Sequence, residues 1–553
     1  MVIAGGTVAD VYTGRWIDAD VEIEDGRIVY VGAPRGGASH DVIDARGKLV
    51  VPGYIEPHSH PWCLYSPTSL LEVAVPDGTT TIVYDNLFFY LAHGVAGLRR
   101  IIDATNAAPA HVKWVARIAA QTAYEEDAFP AGEVAEMLAW PEVVASGEIT
   151  NWFAVTQGHP KLRAGIAAAK AERKRVEGHN AGASYQRLNA LSAAGISADH
   201  EAITGEEALQ RLQLGMWTML RQSSLRPDLA AMLEDLAAVI PASRRLMLTT
   251  DGAAPSFYAE RGVIGGALRV AVEAGVEPMR ALQMATIDPA TFLGLDEELG
   301  GIAPGRRATM NILPDAAAYR GDAPRGNAAY RGDAPRGNAA RRFAPELVLV
   351  DGEVVARDGE LIAPLPRIDW PAGPRITLPT DPAVYASRSR HPVRHESAVI
   401  NRRADSGGIH AALVARDGSW ITHGRIAGLM DDVDGFATTL TTSLHVLVLG
   451  TQPEAMARAA AKLNEMQGGT AFDQGWAAPL AIDGLIVDGD YRQAVEYERQ
   501  LDHHARAAGY PFHDVVYSLL FASGDFLPEL RLTPRGLLDV KSRTVLEPAR
   551  RLT

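Results

Sequence analysis

The fold of this chain is constrained most by short apolar segments that each end in a histidine or a carboxylate. Stretches of helical composition follow these segments, which span residues 54–60, 143–148, 175–179, 194–201 and 246–251. Strands that alternate with helices form parallel sheets, and eight such units close into a barrel. The sequence therefore predicts an α/β fold, a (β/α)8 TIM-like barrel, with its chemistry at the carboxyl ends of the strands.

The residues at these segment ends are of the types that bind divalent metals. His58 and His60 are one residue apart, so on a strand both imidazoles point to the same face. The complete set has four histidines and two acids: His58, His60, Glu148, His179, His200 and Asp251. Such a set can hold two divalent metals with a carboxylate bridging them. Metals of this kind lower the pKa of bound water towards neutrality and polarise the bond under attack.

Two acids of the predicted site are expected to move protons. Asp251 follows a clear strand pattern, and we expect it to take a proton from the attacking water and pass it to the leaving group. Glu201 directly follows His200, which places it to act as a second proton carrier.

Composition narrows the class of protein. A chain of 553 residues is expected to form two or three domains. The net charge of −14 argues against nucleic acid or an anionic membrane as the main partner. Cys63 is the only cysteine, which fits a reducing cytoplasm. We find neither an apolar run long enough to span a membrane nor a signal peptide.

The pattern along the chain predicts further domains around the barrel. Short strands before residue 52 and again near residue 350 indicate one small β-sandwich domain, built from 1–52 with 303–375, that flanks a barrel at 53–302. A perfect tandem repeat of Tyr-Arg-Gly-Asp-Ala-Pro-Arg-Gly-Asn-Ala-Ala occupies 319–340. It lacks apolar bulk and is expected to form a flexible loop. Strands and helices after residue 385 predict a C-terminal α+β domain at 385–553.

The order and context of the candidate ligands resemble the amidohydrolase superfamily, and within it the adenine deaminase family. The resemblance runs almost end to end through these segments: 51–55, 77–81, 147–148, 178–179, 199–201, 221–224, 283–286, 302–305 and 527–533. It implies a binuclear site for Mn, Fe or Zn and hydrolytic attack on an amine-bearing ring carbon. Adenine and water would then give hypoxanthine and ammonia.

The chain departs from the family pattern at four places around the expected substrate. The segments concerned are Pro61-Trp62-Cys63-Leu64 after the paired histidines, Asp85-Asn86-Leu87-Phe88, Gly252 in place of a second aspartate, and Thr441-Thr442-Ser443-Leu444. Loss of several polar groups should change the preferred substrate, because paired hydrogen bonds discriminate strongly.

Four residues are candidates for contact with a small heterocyclic substrate: Arg221, Ser223, Asp85 and Trp62. One alternative is an amidase or cyclic amidase of the same superfamily, acting on a more apolar substrate. Another is an inactive metal-binding scaffold. A homo-oligomer is also expected.

Overall fold

The computed structural model describes residues 1–35, 41–122, 127–314, 316 and 343–552. The tandem repeat at 319–340, predicted to be a flexible loop, lies outside the described residues. Among the helices that the structure describes, none has the length and apolarity needed to cross a membrane.

Segments that precede and follow the barrel in the sequence form one sheet of nine strands. Numbered along the chain, these strands are β1 (Val2–Asp10), β2 (Arg15–Glu24), β3 (Arg27–Gly32), β4 (Val42–Asp44), β5 (Leu49–Pro52), β14 (Met310–Leu313), β15 (Leu347–Val350), β16 (Glu353–Arg357) and β17 (Glu360–Leu361). The two flanks meet where β5 pairs antiparallel with β14. Because β5 leads directly into the first barrel strand, this sheet fixes the position at which the chain enters the barrel.

Eight parallel strands form the barrel, in the order in which they occur along the chain. They are β6 (Tyr54–Ser59), β7 (Thr79–Tyr84), β8 (His111–Ala116), β9 (Val143–Ile149), β10 (Arg175–Gly178), β11 (Ala198–Asp199), β12 (Trp217–Arg221) and β13 (Leu246–Thr249). Side chains tie the first strand to the last, since the Thr250 N–H donates to Glu56 Oε2 at 2.9 Å and Thr249 Oγ1 donates to the His58 carbonyl at 2.9 Å. The predicted α/β barrel is confirmed.

Helices cover the outside of the barrel strands and bury apolar faces against them. They are α1 (Leu71–Ala74), α2 (Leu87–Thr105), α3 (Ala131–Ala139), α4 (Trp152–Thr156), α5 (Pro160–Ala171), α6 (Tyr185–Ala194), α7 (Gly205–Gln213), α8 (Leu229–Asp235), α9 (Pro255–Arg261), α10 (Ile264–Glu273), α11 (Pro278–Ala285) and α12 (Ile287–Leu293). In α7 the Thr204 hydroxyl accepts from the Glu207 N–H, which pairs one of the free donors at the helix start.

The remaining chain forms a second nine-stranded sheet, a three-stranded sheet and three helices. The strands are β18 (Pro392–His395), β19 (Asn401–Arg403), β20 (Ile409–Val414), β21 (Trp420–Ala427), β22 (Phe436–Thr438), β23 (Val446–Gly450), β24 (Thr470–Phe472), β25 (Ala477–Ala478), β26 (Leu530–Thr533), β27 (Gly536–Asp539), β28 (Thr544–Pro548) and β29 (Arg550–Arg551). The helices are α13 (Pro453–Met466), α14 (Tyr491–Ala507) and α15 (Val515–Leu520).

This C-terminal part lies against the carboxyl end of the barrel. Its segment 485–487 pairs with the loop after β6, where the Leu64 N–H donates to the Leu485 carbonyl and the Val487 N–H donates to the Leu64 carbonyl. The His93 imidazole of α2 lies 2.8 Å from a carboxylate oxygen of Asp483. The C-terminal part is therefore placed to contribute side chains near the predicted metal ligands.

Candidate metal centre

The ends of β6, β9, β10, β11 and β13 bring the six predicted ligands together. Around His58 Nε2 lie His60 Nε2 at 3.2 Å and Asp251 Oδ1 at 3.0 Å. His60 Nε2 also lies 3.1 Å from Asp251 Oδ1. Three ligand-type side chains from the first and last strands thus converge on one point.

Glu148 lies between the two halves of the constellation. Its Oε2 atom is 2.9 Å from His179 Nδ1 and 3.1 Å from His200 Nε2. Its Oε1 atom is 3.9 Å from His60 Nε2. A carboxylate with one oxygen near each half has the position that a bridging ligand requires.

The donor atoms fit divalent metal ions. Three overlapping groups each keep their ligand atoms within 4.8 Å of one another: His58 with Glu148 and His200, His58 with His60 and Asp251, and His179 with His200 and Glu201. The ligands are imidazole nitrogens and carboxylate oxygens, the types that bind Zn, Mn and Fe. Most of these side chains are buried, and only His60, His179 and Asp251 keep 10–17% of their side-chain surface exposed. Solvent therefore reaches the ligand cluster on the side where these three residues lie.

Glu177 is a buried acid that the sequence analysis did not single out. Its Oε2 lies 3.1 Å from His58 Nδ1, and its Oε1 lies 2.9 Å from His200 Nδ1. Burial alone would raise the pKa of Glu177, but the neighbouring His58 and His200 hold it at about 2. An ionised carboxylate here accepts both Nδ1–H groups, so that both Nε2 lone pairs face the ligand cluster.

Arg117, just beyond β8, is a second residue that the sequence analysis missed. Its guanidinium is fully buried and donates from Nη2 to Glu148 Oε1 at 2.5 Å and from Nε to Asp85 Oδ2 at 2.6 Å. Gly147 permits this approach, because a Cβ there would lie 2.7 Å from Arg117 Cδ. Arg117 therefore fixes the orientation of the bridging acid.

Asp85, predicted to contact substrate, is instead engaged within the protein. Its Oδ1 accepts the Leu87 N–H at 2.7 Å, its Oδ2 accepts from Arg117, and its side chain has no exposed surface. Both oxygens already accept hydrogen bonds and the side chain is fully buried, so the structure favours a role within the protein over the predicted contact with substrate. Asp85 acts through Arg117 on Glu148.

Replacing Arg117 with Met should destabilise the barrel by about 3–5 kcal/mol, because it leaves two buried carboxylates, Asp85 and Glu148, without their counter-charge. The measurement is the thermal unfolding transition of the full chain. Arg100→Met is the matched control, since its pair with Asp369 is solvent exposed and should contribute less than about 1 kcal/mol. Equal effects of the two substitutions would contradict the structural role of Arg117.

Arg221 clamps two of the predicted catalytic acids. Its Nη1 donates to Glu201 Oε1 at 2.7 Å and also to Asp251 Oδ2. Arg226 Nη1 lies 3.3 Å from Glu201 Oε2. Burial would raise the pKa of Glu201, but Arg221 foremost, with two histidines and Arg226, holds it at about 2. This arrangement favours a role for Glu201 in holding Arg221 over the predicted role as a proton carrier.

Two further candidate substrate contacts have different surroundings. The Ser223 hydroxyl accepts the Arg226 N–H at 3.3 Å in a tight turn, so its acceptor capacity is partly used within the loop. The Trp62 ring lies 5.0 Å from the His60 ring and 4.3 Å from the Phe88 ring, between ring centroids. Trp62 and Phe88 thus form an apolar wall beside His60, and contact of Trp62 with substrate stays a prediction.

Asp251 lies in an uncommon backbone conformation. Its φ is 56° and that of Gly252 is 87°, both in the left-handed region that few residues other than glycine, asparagine and aspartate adopt. Burial would raise the pKa of Asp251, but Arg221 and the surrounding histidines hold it well below its usual value. The turn therefore presents an ionised carboxylate to the cluster.

A cavity of about 170 Å³ opens beyond the carboxyl ends of β8 and β9. It is lined by Gln121, Thr150, Trp152 and, from the C-terminal part, Phe526. The Phe526 ring centroid is 6.2 Å from that of His179.

Comparison with known families agrees with this geometry. The model of the amidohydrolase family matches residues 49–355, and the model of the adenine deaminase C-terminal domain matches residues 384–544. The first match covers the barrel, and the second covers the sheets that pack over its mouth.

Similar proteins extend over the whole chain. A protein of Halalkalibacterium halodurans named "Putative adenine deaminase BH0637" is 33% identical over 99% of this chain and 95% of its own length. A protein of Moorella thermoacetica named "Adenine deaminase" is 30% identical over 97% of this chain and 94% of its own length. The chain therefore belongs to the adenine deaminase family of the amidohydrolases and is a hydrolytic enzyme.

Proposed function

We propose that the enzyme hydrolyses a C–N bond of an amino-substituted heterocycle, with adenine as the first candidate substrate. The reaction would convert adenine and water to hypoxanthine and ammonia. The observation that carries this proposal is the convergence of four imidazoles and the Glu148 carboxylate on the ionised Asp251 at the barrel mouth. A purely structural metal site needs no proton acceptor, so this arrangement favours an active enzyme over an inactive scaffold.

We propose that the cluster holds two divalent ions of Mn, Fe or Zn. His58, His60 and Asp251 would hold one, His179 and His200 would hold the other, and Glu148 would bridge them. When bound, such ions supply Lewis acidity and lower the pKa of a water molecule. The cytoplasmic location and the homo-oligomer expected from the sequence stay predictions.

Arg221 orients Asp251, the proposed proton acceptor. Arg221 binds Asp251 Oδ2, which leaves Oδ1 facing His58 and His60. Asp251 Oδ1 would accept a proton of the attacking water and return it to the departing nitrogen, which leaves as ammonia while the ring carbon keeps the oxygen. Arg221 keeps the carboxylate in one orientation through this transfer.

A second candidate activity is hydrolysis of an amide or cyclic amide. The apolar wall of Trp62 and Phe88 favours it, because a more apolar pocket would accept a substrate with fewer hydrogen-bonding groups. Both activities use the same ligands and the same Asp251. They differ in the carbon that is attacked: deamination replaces the amino group of an aromatic ring carbon and releases ammonia, whereas hydrolysis of a cyclic or substituted amide frees an amine and a carboxylic acid.

The test is ammonia release from adenine by the purified, Mn-loaded full chain, with metal content measured on the same sample. Ammonia release from adenine that stops when the metal is removed by a chelator, and returns when Mn is added back, would support the deaminase. Two bound metals without ammonia release, but with hydrolysis of amides, would support the amidase. A metal-loaded protein that hydrolyses neither adenine nor amides would overturn the proposal.

A further inference from the structure

The C-terminal part brings one side chain, Tyr517, into the barrel mouth. Helix α15 begins after Asp514, whose carboxylate accepts the Tyr517 N–H at 3.0 Å, and this fixes the first turn. A Cβ added to Gly252 would lie 2.7 Å from the Tyr517 hydroxyl oxygen and 3.4 Å from His60 Cβ. The hydroxyl is therefore next to the Asp251–Gly252 turn and next to a metal ligand.

The Tyr517 hydroxyl is buried and has no hydrogen-bond partner of ordinary geometry among the described residues. The residue is 4% exposed. The Cys63 thiol is a neighbour, but a thiol is a weak partner for a hydroxyl. An unpaired buried hydroxyl costs stability, and native proteins keep few of them without a functional reason.

Neighbouring buried tyrosines show that this fold pairs such groups elsewhere. Their hydroxyls reach main-chain or side-chain oxygens: Tyr65 to Ala253 at 3.0 Å, Tyr84 to Pro67 at 2.7 Å, Tyr258 to Thr250 at 2.6 Å and Tyr491 to Pro255 at 3.1 Å. Tyr517 differs from all four in that its hydroxyl lacks such a partner and lies beside Gly252, the residue after Asp251. Its missing partner therefore points to a molecule that enters this centre.

Gly252 keeps the space that the hydroxyl occupies. Any side chain at position 252 would begin within 2.7 Å of the Tyr517 oxygen and displace it. The position of the Tyr517 hydroxyl therefore requires that residue 252 has no side chain. A phenol has a pKa near 10 and stays protonated at neutral pH, so the group is available as a donor.

We propose that the Tyr517 hydroxyl donates a hydrogen bond to the substrate, at a ring nitrogen or carbonyl oxygen adjacent to the carbon of the cleaved C–N bond. This inference rests on the proposed function and specifies its substrate as a heterocycle with an acceptor beside the reacting carbon. Negative charge grows on that acceptor as water adds to the carbon, and a fixed donor in a buried site stabilises it.

The test compares Tyr517→Phe with Tyr510→Phe in the full-length, Mn-loaded enzyme. Tyr510 is a matched control, because its hydroxyl pairs with Ser518 Oγ at 2.7 Å and takes no part in the site. Tyr517→Phe should lower kcat/KM for adenine about 100-fold with metal content unchanged, and its unfolding midpoint should stay the same or rise. Tyr510→Phe should keep kcat/KM within about twofold and lower the midpoint, since Ser518 loses its partner.

A second measurement identifies the atom that is recognised. Wild-type enzyme should bind adenine more tightly than the analogue in which the ring nitrogen next to the amino-bearing carbon is C–H, and Tyr517→Phe should lose most of that preference in binding affinity. Unchanged kcat/KM and unchanged preference in Tyr517→Phe would overturn the inference.

Calorimetric binding separates this inference from the proposed function. If wild-type enzyme releases no ammonia from adenine, the deaminase proposal fails, and the affinity of the Mn-loaded proteins for adenine and hypoxanthine is compared instead. Binding at least tenfold weaker in Tyr517→Phe than in Tyr510→Phe supports the donor role. Equal binding, or no binding to wild type, overturns it.

Discussion

Asp251→Asn is expected to lower kcat by about 10²–10⁴-fold while metal content stays close to that of the wild type. The amide keeps one oxygen, which can still serve as a ligand when it faces His58 and His60. In that orientation the amide nitrogen faces Arg221, which loses its acceptor at Oδ2 but keeps its pair with Glu201. An amide cannot accept the proton that the reaction must move. Activity and metal occupancy are therefore predicted to separate in this variant.

The measurement is steady-state ammonia release and bound metal per chain on the same Asp251→Asn sample. Asp103→Asn is the control, because that exposed carboxylate pairs with Arg99 on the barrel exterior and should leave both values unchanged. If activity and metal are lost together, Asp251 acts chiefly as a ligand. If Asp251→Asn remains fully active, the proton acceptor is another group.

The ligand positions could be predicted from the sequence because strand geometry alone determines them. Period-two alternation places His58 and His60 on one face, and parallel strands deliver all their carboxyl ends to one rim. The same rule applied within the strands would have identified Glu177, two residues before His179, as an inward-facing residue. The local pattern of this segment points to His179 at its end, and it does not show that Glu177 lies against two imidazoles from other strands, His58 and His200.

Other parts of the site depend on contacts that no local pattern encodes. Arg117 reaches Glu148 from a neighbouring strand, and that contact reassigns Asp85 from the substrate to the protein interior. Tyr517 reaches Gly252 from another part of the chain. These contacts depend on how loops and the C-terminal part pack over the barrel, so only the three-dimensional structure shows them.

The second large effect is expected for Glu177→Gln, which should weaken metal binding about 10–100-fold. The carboxylate accepts from the Nδ1 atoms of both His58 and His200, whereas an amide of the same shape has one acceptor oxygen and one donor nitrogen. One imidazole would then have to accept at Nδ1, and its proton would move to Nε2, the atom that faces the ligand cluster. A protonated Nε2 cannot bind a metal, so a buried residue outside the ligand set should control occupancy.

Metal per chain is measured for Glu177→Gln after equilibration at a series of buffered free Mn concentrations. Glu172→Gln, an exposed acid on the barrel exterior, should follow the wild-type binding curve, and His58→Ala should define the loss of a direct ligand. Activity should recover as Mn is raised, because Glu177→Gln removes none of the ligands themselves. A wild-type binding curve for Glu177→Gln would show that the two imidazoles keep their tautomers without the carboxylate. A loss of activity that added Mn cannot reverse would show instead that Glu177 is needed to fold the barrel.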